Sequence, residues 1–160
     1  MQPTSNRQAT PPFRPRLTGC VARDVVMATI LKSCYVEAFS RIAANIFRSL
    51  RCAERERTLS EIFERAAEED LEQFRRLGEL ILALGGDAEL RGVRSRRSCQ
   101  VRCEDNVQDF LEAGISERSQ SIDRYETLMA RTGDRVVRSV LAGLLSGERR
   151  ILDRLLSYSG

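Results

Sequence analysis

Asp70 and Gln73 lie three residues apart in AAEEDLEQFRRLGELILALGGD, residues 66–87, and both fall inside the apolar stripe of the helix this segment spells. A polar side chain on a buried seam is costly unless something pairs with it. A carboxylate with a second ligand at i, i+3 on a bundle helix is one way to build a metal site in a bundle core. That second ligand would ordinarily be an imidazole, yet the chain contains no histidine. Two chemistries therefore compete for the pair. One is metal ligation by oxygen donors, the other a hydrogen-bonded ion-pair layer closed within the protein.

The same interruption recurs along the chain. Glu37, Glu117 or Arg118, and Gly147 with Glu148 and Arg150 break other apolar stripes near their centres. Four such breaks at similar depth point to a polar layer across a shared core. Buried ions cost several kcal/mol each unless paired, so the layer is either a metal site or an internal salt network.

Four helical patterns must position these residues. The first spans about 21–51, with a stripe through Val26, Ile30, Ser33 or Cys34, Glu37, Ala38, Arg41 or Ile42, Asn45 or Ile46, and Leu50. The second spans about 59–84. Thr58 with Glu61 reads as a capping box at its start, and Gly85 as a left-handed cap at its end. The third covers about 104–130 and the fourth about 134–158, separated by the tight break Thr132-Gly133-Asp134. All four carry the 3-4 alternation of bundle helices. Residues 1–20 hold all four prolines and read as a disordered tail. Residues 85–103 form a long Arg-rich connection, so the expectation is an all-α bundle over 21–160: two helical hairpins joined by a crossover.

Bulk properties narrow the function. At 160 residues the chain suits one domain with a good core. A net charge of +3 is mild and mixed along the sequence, which argues against a nucleic-acid surface. There is no tryptophan, and aromatics make up 6% of the residues, too few for a base-stacking platform. No apolar run is long enough to span a bilayer. The five cysteines are odd in number and scattered, as in a reducing cytoplasm. Cys99 and Cys103 lack the spacing of a standard zinc motif and read as unpaired loop thiols. Arg91, Arg94, Arg96, Arg97 and Arg102 make a basic loop, a third and weaker route to function through binding.

Residues 59–87, LSEIFERAAEEDLEQFRRLGELILALGGD, resemble the second helix of ferritin-like di-iron carboxylate proteins of the rubrerythrin and manganese-catalase type. LGELILALGGD is the specific part. A weaker likeness continues through GISERSQSIDRYETL and VLAGLLSGERRIL. The resemblance implies a ferritin-like four-helix bundle. In such proteins the first and third helices each bring one Glu, and the second and fourth each bring a Glu-x-x-His. Carried onto this chain, the second helix gives Asp70 and Gln73. The third gives Glu117, or Arg118 if Tyr125 sets the register. The fourth gives Gly147 with Arg150, or Glu148 with Ile151. Glu37 is the internal acid of the first helix that fits.

Both histidines are absent in every register, and Asp is one methylene short for bridging two metals. A guanidinium beside the site would repel divalent cations and pair with Asp70 or Glu117. The reading is thus a degenerate ferritin-like bundle without a cofactor, non-catalytic, with a structural or interaction role, and a homodimer. Asp70 and Gln73 would belong to a salt-bridge or hydrogen-bond layer with Arg118 or Arg150. The alternative is a di-metal oxidoreductase or metal-binding protein using iron or manganese on Glu37, Asp70, Gln73, Glu117 and Glu148. A carboxylate-only magnesium, calcium or manganese site also stays open.

Overall fold

A computed structural model describes residues 21–90 and 106–160, with side chains described from Val26 onward within those ranges. Four helices appear in order: α1 (Val21–Cys52), α2 (Arg57–Ala83), α3 (Val107–Arg131) and α4 (Arg135–Ser159). The tail 1–20, Cys99, Cys103 and the arginines of 91–102 lie outside the described residues.

The helix ends follow from local chemistry. Gly85 takes φ +74°, a conformation that costs an L side chain energy. Its amide donates to the Leu82 carbonyl at 3.0 Å, and that of Gly86 donates to Ile81 at 2.9 Å, the paired bonds of a Schellman cap. Asp134 caps α4 by accepting from the amides of Val136 at 2.7 Å and Val137 at 3.1 Å. Asn106 does the same for α3, accepting from Gln108 at 3.0 Å. The expected Thr58–Glu61 capping box does not form. α2 begins one residue before Thr58, with Glu56 at its N-cap and no side-chain cap bond. Glu61 instead pairs with Arg57 at 3.1 Å, and Glu56 accepts from Tyr158 of α4 at 2.6 Å.

α1 packs mainly on α2, α3 on α4, and α2 on α4; α1 and α3 approach at few places. Two apolar clusters cap a polar middle. One gathers Leu31, Tyr35, Leu77, Ile81, Tyr125, Leu128, Val137 and Leu141; the other gathers Cys52, Leu59, Phe63, Phe110, Leu111, Ile151 and Leu155. The start of α2 therefore shares an end with the start of α3, and their C-terminal ends share the other. The two helices run parallel, so the chain must return the bundle's length between Leu84 and Val107. A 27-residue helix is about 40 Å long, beyond the reach of a short loop. This topology separates the fold from a simple up-down bundle and is that of a ferritin-like four-helix bundle.

The stripes expected on α2, α3 and α4 are the buried faces. That on α1 holds at Cys34, Ala38, Arg41 and Asn45 and is corrected at three positions. Val26, Ile46 and Leu50 are exposed, and the inward face runs through Leu31, Cys34, Ala38, Arg41, Asn45, Arg48 and Cys52. The helix turns polar residues inward because acids and amides on the other helices receive them.

Candidate functional site

Asp70 of α2 and Glu148 of α4 are fully buried, at 0% exposure, and face one another across two guanidinium groups. Arg118 of α3 donates to both oxygens of Asp70, Nη1 to Oδ1 at 2.8 Å and Nη2 to Oδ2 at 2.7 Å, and Nη1 also reaches Glu148 Oε2 at 2.8 Å. Arg41 of α1 donates through Nε to Asp70 Oδ1 at 3.0 Å and through Nη2 to Glu148 Oε1 at 2.7 Å. Its Nη1 bonds the Ser121 hydroxyl, and Nη2 also reaches Gln73 Oε1 at 3.2 Å. Asn45 donates to Asp70 Oδ2 at 2.7 Å. Each oxygen of both carboxylates thus accepts at least one hydrogen bond. Two positive and two negative groups balance, which is the condition for burying them.

The network extends outward along α1 and α3. Arg48 donates to Asn45 Oδ1 at 3.3 Å and grips Glu117 with two bonds of 2.8 Å, its guanidinium 5.8 Å from the Phe63 ring centroid. Arg124 pairs with Glu37 nearer the surface. These bridges join α1 and α3, whose backbones otherwise approach at few places. Tyr125 donates its hydroxyl to Gln73 Oε1 at 3.3 Å, so the phenol reaches the polar layer. Gln73 Nε2 is buried without a hydrogen-bond partner, the one such atom among the described residues.

Burial opposes the charge on Arg41, but the Asp70 and Glu148 carboxylates outweigh it and hold the guanidinium above its ordinary pKa. Arg118 shifts the same way: burial lowers, the acids raise, and the acids prevail. Burial pushes the Tyr125 phenol and the Cys34 thiol up. The two arginines stay charged at any ordinary pH, so the centre stores positive charge between its acids.

The structure sorts the five candidate ligands. Asp70, Gln73 and Glu148 come together in the central layer. Glu37 and Glu117 lie off it, half-buried and committed to Arg124 and Arg48. Inward registers fall on Arg118 rather than Glu117, and on Glu148, although Gly147 is also buried. Arg150 does not join Asp70: it is exposed and bonds Glu69 at 3.2 Å, whose carboxylate rests where a Cβ on Gly147 would be. Among the described residues, no three His, Cys, Asp or Glu side chains converge to hold a metal ion. A di-metal centre of the ferritin type does not fit these residues, because guanidiniums take up the carboxylate oxygens a metal would need.

Arg41, Asn45, Arg48 and Ser121 were not among the candidate site residues. Arg41 and Asn45 could be placed on the seam of the first helix, but polarity alone did not tell partner from passenger. The usable signal was spacing: Arg41, Asn45 and Arg48 recur at 4 and 3 residues, the period of a single helix face.

Fold and site together define a four-helix bundle of two hairpins with a buried ionic centre in place of an apolar middle. The family model of the ferritin-like domain matches residues 53–158, two-thirds of the chain, and the protein belongs to that family. The match covers α2, α3, α4 and the crossover, while α1, which supplies Arg41, lies outside it. No curated protein and no solved structure gives a match to the chain.

Proposed function

We propose that this is a ferritin-like bundle whose guanidinium–carboxylate lattice stands where rubrerythrin- and manganese-catalase-type proteins hold metal, and that it is non-catalytic. Its role is structural or in interaction, as a homodimer. The carrying observation is the pair of arginines, Arg41 and Arg118, that share Asp70 and Glu148 between them. A divalent cation entering there would have to displace two charged groups already bonded to its ligands, and would meet their repulsion. With no histidine in the chain, no neutral nitrogen ligand of the kind iron sites favour is at hand.

Further support comes from the cost of the arrangement. Desolvating four ions is expensive, and the benefit best attested for such groups is a unique register. Here the lattice ties one residue from each helix at the same level, which suits a protein selected for a rigid shape. The buried thiols Cys34 and Cys52 are free, which suits the reducing cytoplasm proposed for it. Among the described residues no helix is long and apolar enough to cross a membrane.

The test is elemental analysis of the full chain purified under anaerobic conditions. Less than one tightly bound metal per chain is expected, and stoichiometric iron or manganese would overturn the reading in favour of the di-metal oxidoreductase.

A further inference from the structure

The ion pairs of the centre sort by hairpin. Arg41 with Asp70 lies within the α1–α2 hairpin, and Arg118 with Glu148 within the α3–α4 hairpin. Arg41 with Glu148 and Arg118 with Asp70 cross between the hairpins. Each hairpin therefore holds one cation and one anion of its own. Parting the hairpins leaves no ion without a counter-ion, so the penalty of a stranded buried charge does not arise.

The two walls that join the hairpins are built differently. On the α2–α4 wall, Gly143 and Gly147 let α2 side chains lie on the α4 backbone. A Cβ on Gly143 would come within 3.2 Å of Arg76 Nη1, and one on Gly147 would run into the Glu69 carboxylate. On the α1–α3 wall the backbones approach at few places. Both cations of the centre come from this wall, and the like charge of Arg41 works against that of Arg118. Asp70 and Glu148 repel one another in the same way, but across helices that fit closely.

Polar bridges span the α1–α3 wall: Arg48 to Glu117, Arg41 to Ser121 and Arg124 to Glu37. The side chains of Glu117, Arg124 and Glu37 are 35%, 31% and 41% exposed, where water and salt weaken an ion pair. A narrow crevice enters here, lined by Cys34, Glu37, Arg41, Ser121, Arg124 and Tyr125. Arg124 also donates to the Cys34 sulfur, so the outer pair covers the thiol.

We propose that the hairpins part transiently along the α1–α3 wall, turning about the glycine-lined α2–α4 contact, and so admit solvent and small solutes to the ionic centre and to Cys34. The closed state makes every bond described above. The open state keeps one complete ion pair in each hairpin and gives up the two that cross. This is a hinge whose mouth is held by polar bridges and whose axis is held by close packing.

The Cys34 thiol reports the motion. In the full chain carrying Cys20→Ser, Cys99→Ser and Cys103→Ser, alkylation by N-ethylmaleimide with mass-spectrometric assignment follows Cys34 and Cys52 separately. Cys52, 0% exposed in the apolar cluster at the other end, serves as the reference for global unfolding. Cys34 is expected to react about ten-fold faster than Cys52, at a rate that low urea barely changes, as for a local opening. Glu117→Gln removes a bridge of the same wall and bonds neither Cys34 nor Arg124; it is expected to raise the ratio of the two rates several-fold. Added sodium chloride is expected to act in the same direction. Glu69→Gln breaks the pair with Arg150 on the α2–α4 wall and is expected to leave the ratio unchanged. A Cys34 rate that equals that of Cys52 and climbs with urea alongside it overturns the opening. A ratio unmoved by Glu117→Gln, or raised as much by Glu69→Gln, overturns its place on the α1–α3 wall.

Discussion

Arg118 and Asp70 meet as a two-point pair in the bundle centre, with both Asp70 oxygens held at 2.7 and 2.8 Å and neither side chain more than 2% exposed. They come from α3 and α2, parallel helices that belong to different hairpins. The pair is therefore a direct bond between hairpins, and Arg41 repeats it from α1. Asp70 is thus a bridging anion between two cations.

Asp70→Ala leaves Arg41 and Arg118 to share the single Glu148 carboxylate in a dry core. Removing one partner of a buried pair typically costs about 3–5 kcal/mol. Chemical denaturation of the metal-free protein is expected to show a loss of that size; a variant as stable as the parent would remove the network from the stability of the fold.

Replacing both members together, Asp70→Leu with Arg118→Met, leaves Arg41 and Glu148 balanced and no ion without a counter-ion. The double variant is expected to lose less than the sum of its single variants, with a coupling of about 1–3 kcal/mol. Strict additivity in a double-mutant cycle would mean the two residues act separately.

Alkali should unfold the protein sooner than its arginine content implies. Burial raises the Tyr125 and Tyr35 phenols, and the hydrogen bond to Glu56 pushes Tyr158 up to about 12. Burial also raises the Cys34 and Cys52 thiols above their usual 9.0. An unfolded chain releases these protons first, so it binds fewer of them than the native state and stability falls as pH climbs. Stability is full below about pH 9 and declines above the unfolded values of about 9 and 10. Phenolate absorbance is expected to rise together with the loss of helical signal. A phenolate step near pH 10 in a chain that remains helical would contradict the Tyr125 environment.

Gly85→Ala isolates backbone strain. Nothing lies within 4 Å of the added Cβ, so the cost is the positive φ alone, about 1 kcal/mol. Thermal melting should show it as a few degrees, and an unchanged midpoint would mean the cap is not held in this conformation.

Asp134→Ala removes both acceptor bonds at the start of α4 and is expected to cost about 1 kcal/mol by denaturant titration. Asp134→Asn keeps an acceptor oxygen and should recover most of it.

The residue order by itself determined the four helices, the turn at Thr132–Asp134, the left-handed cap at Gly85 and the inward place of Asp70, Gln73 and Tyr125. Each is a local matter: a 3.6-residue period, a glycine at positive φ, or an oxygen near free amides dictates the outcome within one or two turns. On α2 the apolar neighbours on both sides, Ala66 and Leu77, left only one inward register.

Only the tertiary structure decided the partners. Glu117 and Arg118 differ by one residue, about 100° of helix rotation, and both lie close enough to the seam to face inward. What settled them was the charge opposite: Asp70 draws Arg118 in, and Arg48 draws Glu117 to the edge. On α1 the same cause chose among the stripe's alternatives, because Arg41, Asn45 and Arg48 find acceptors on other helices while Ile46 and Leu50 stay exposed. A long guanidinium reaches its partner across the bundle, and its sequence position carries no record of which carboxylate that will be.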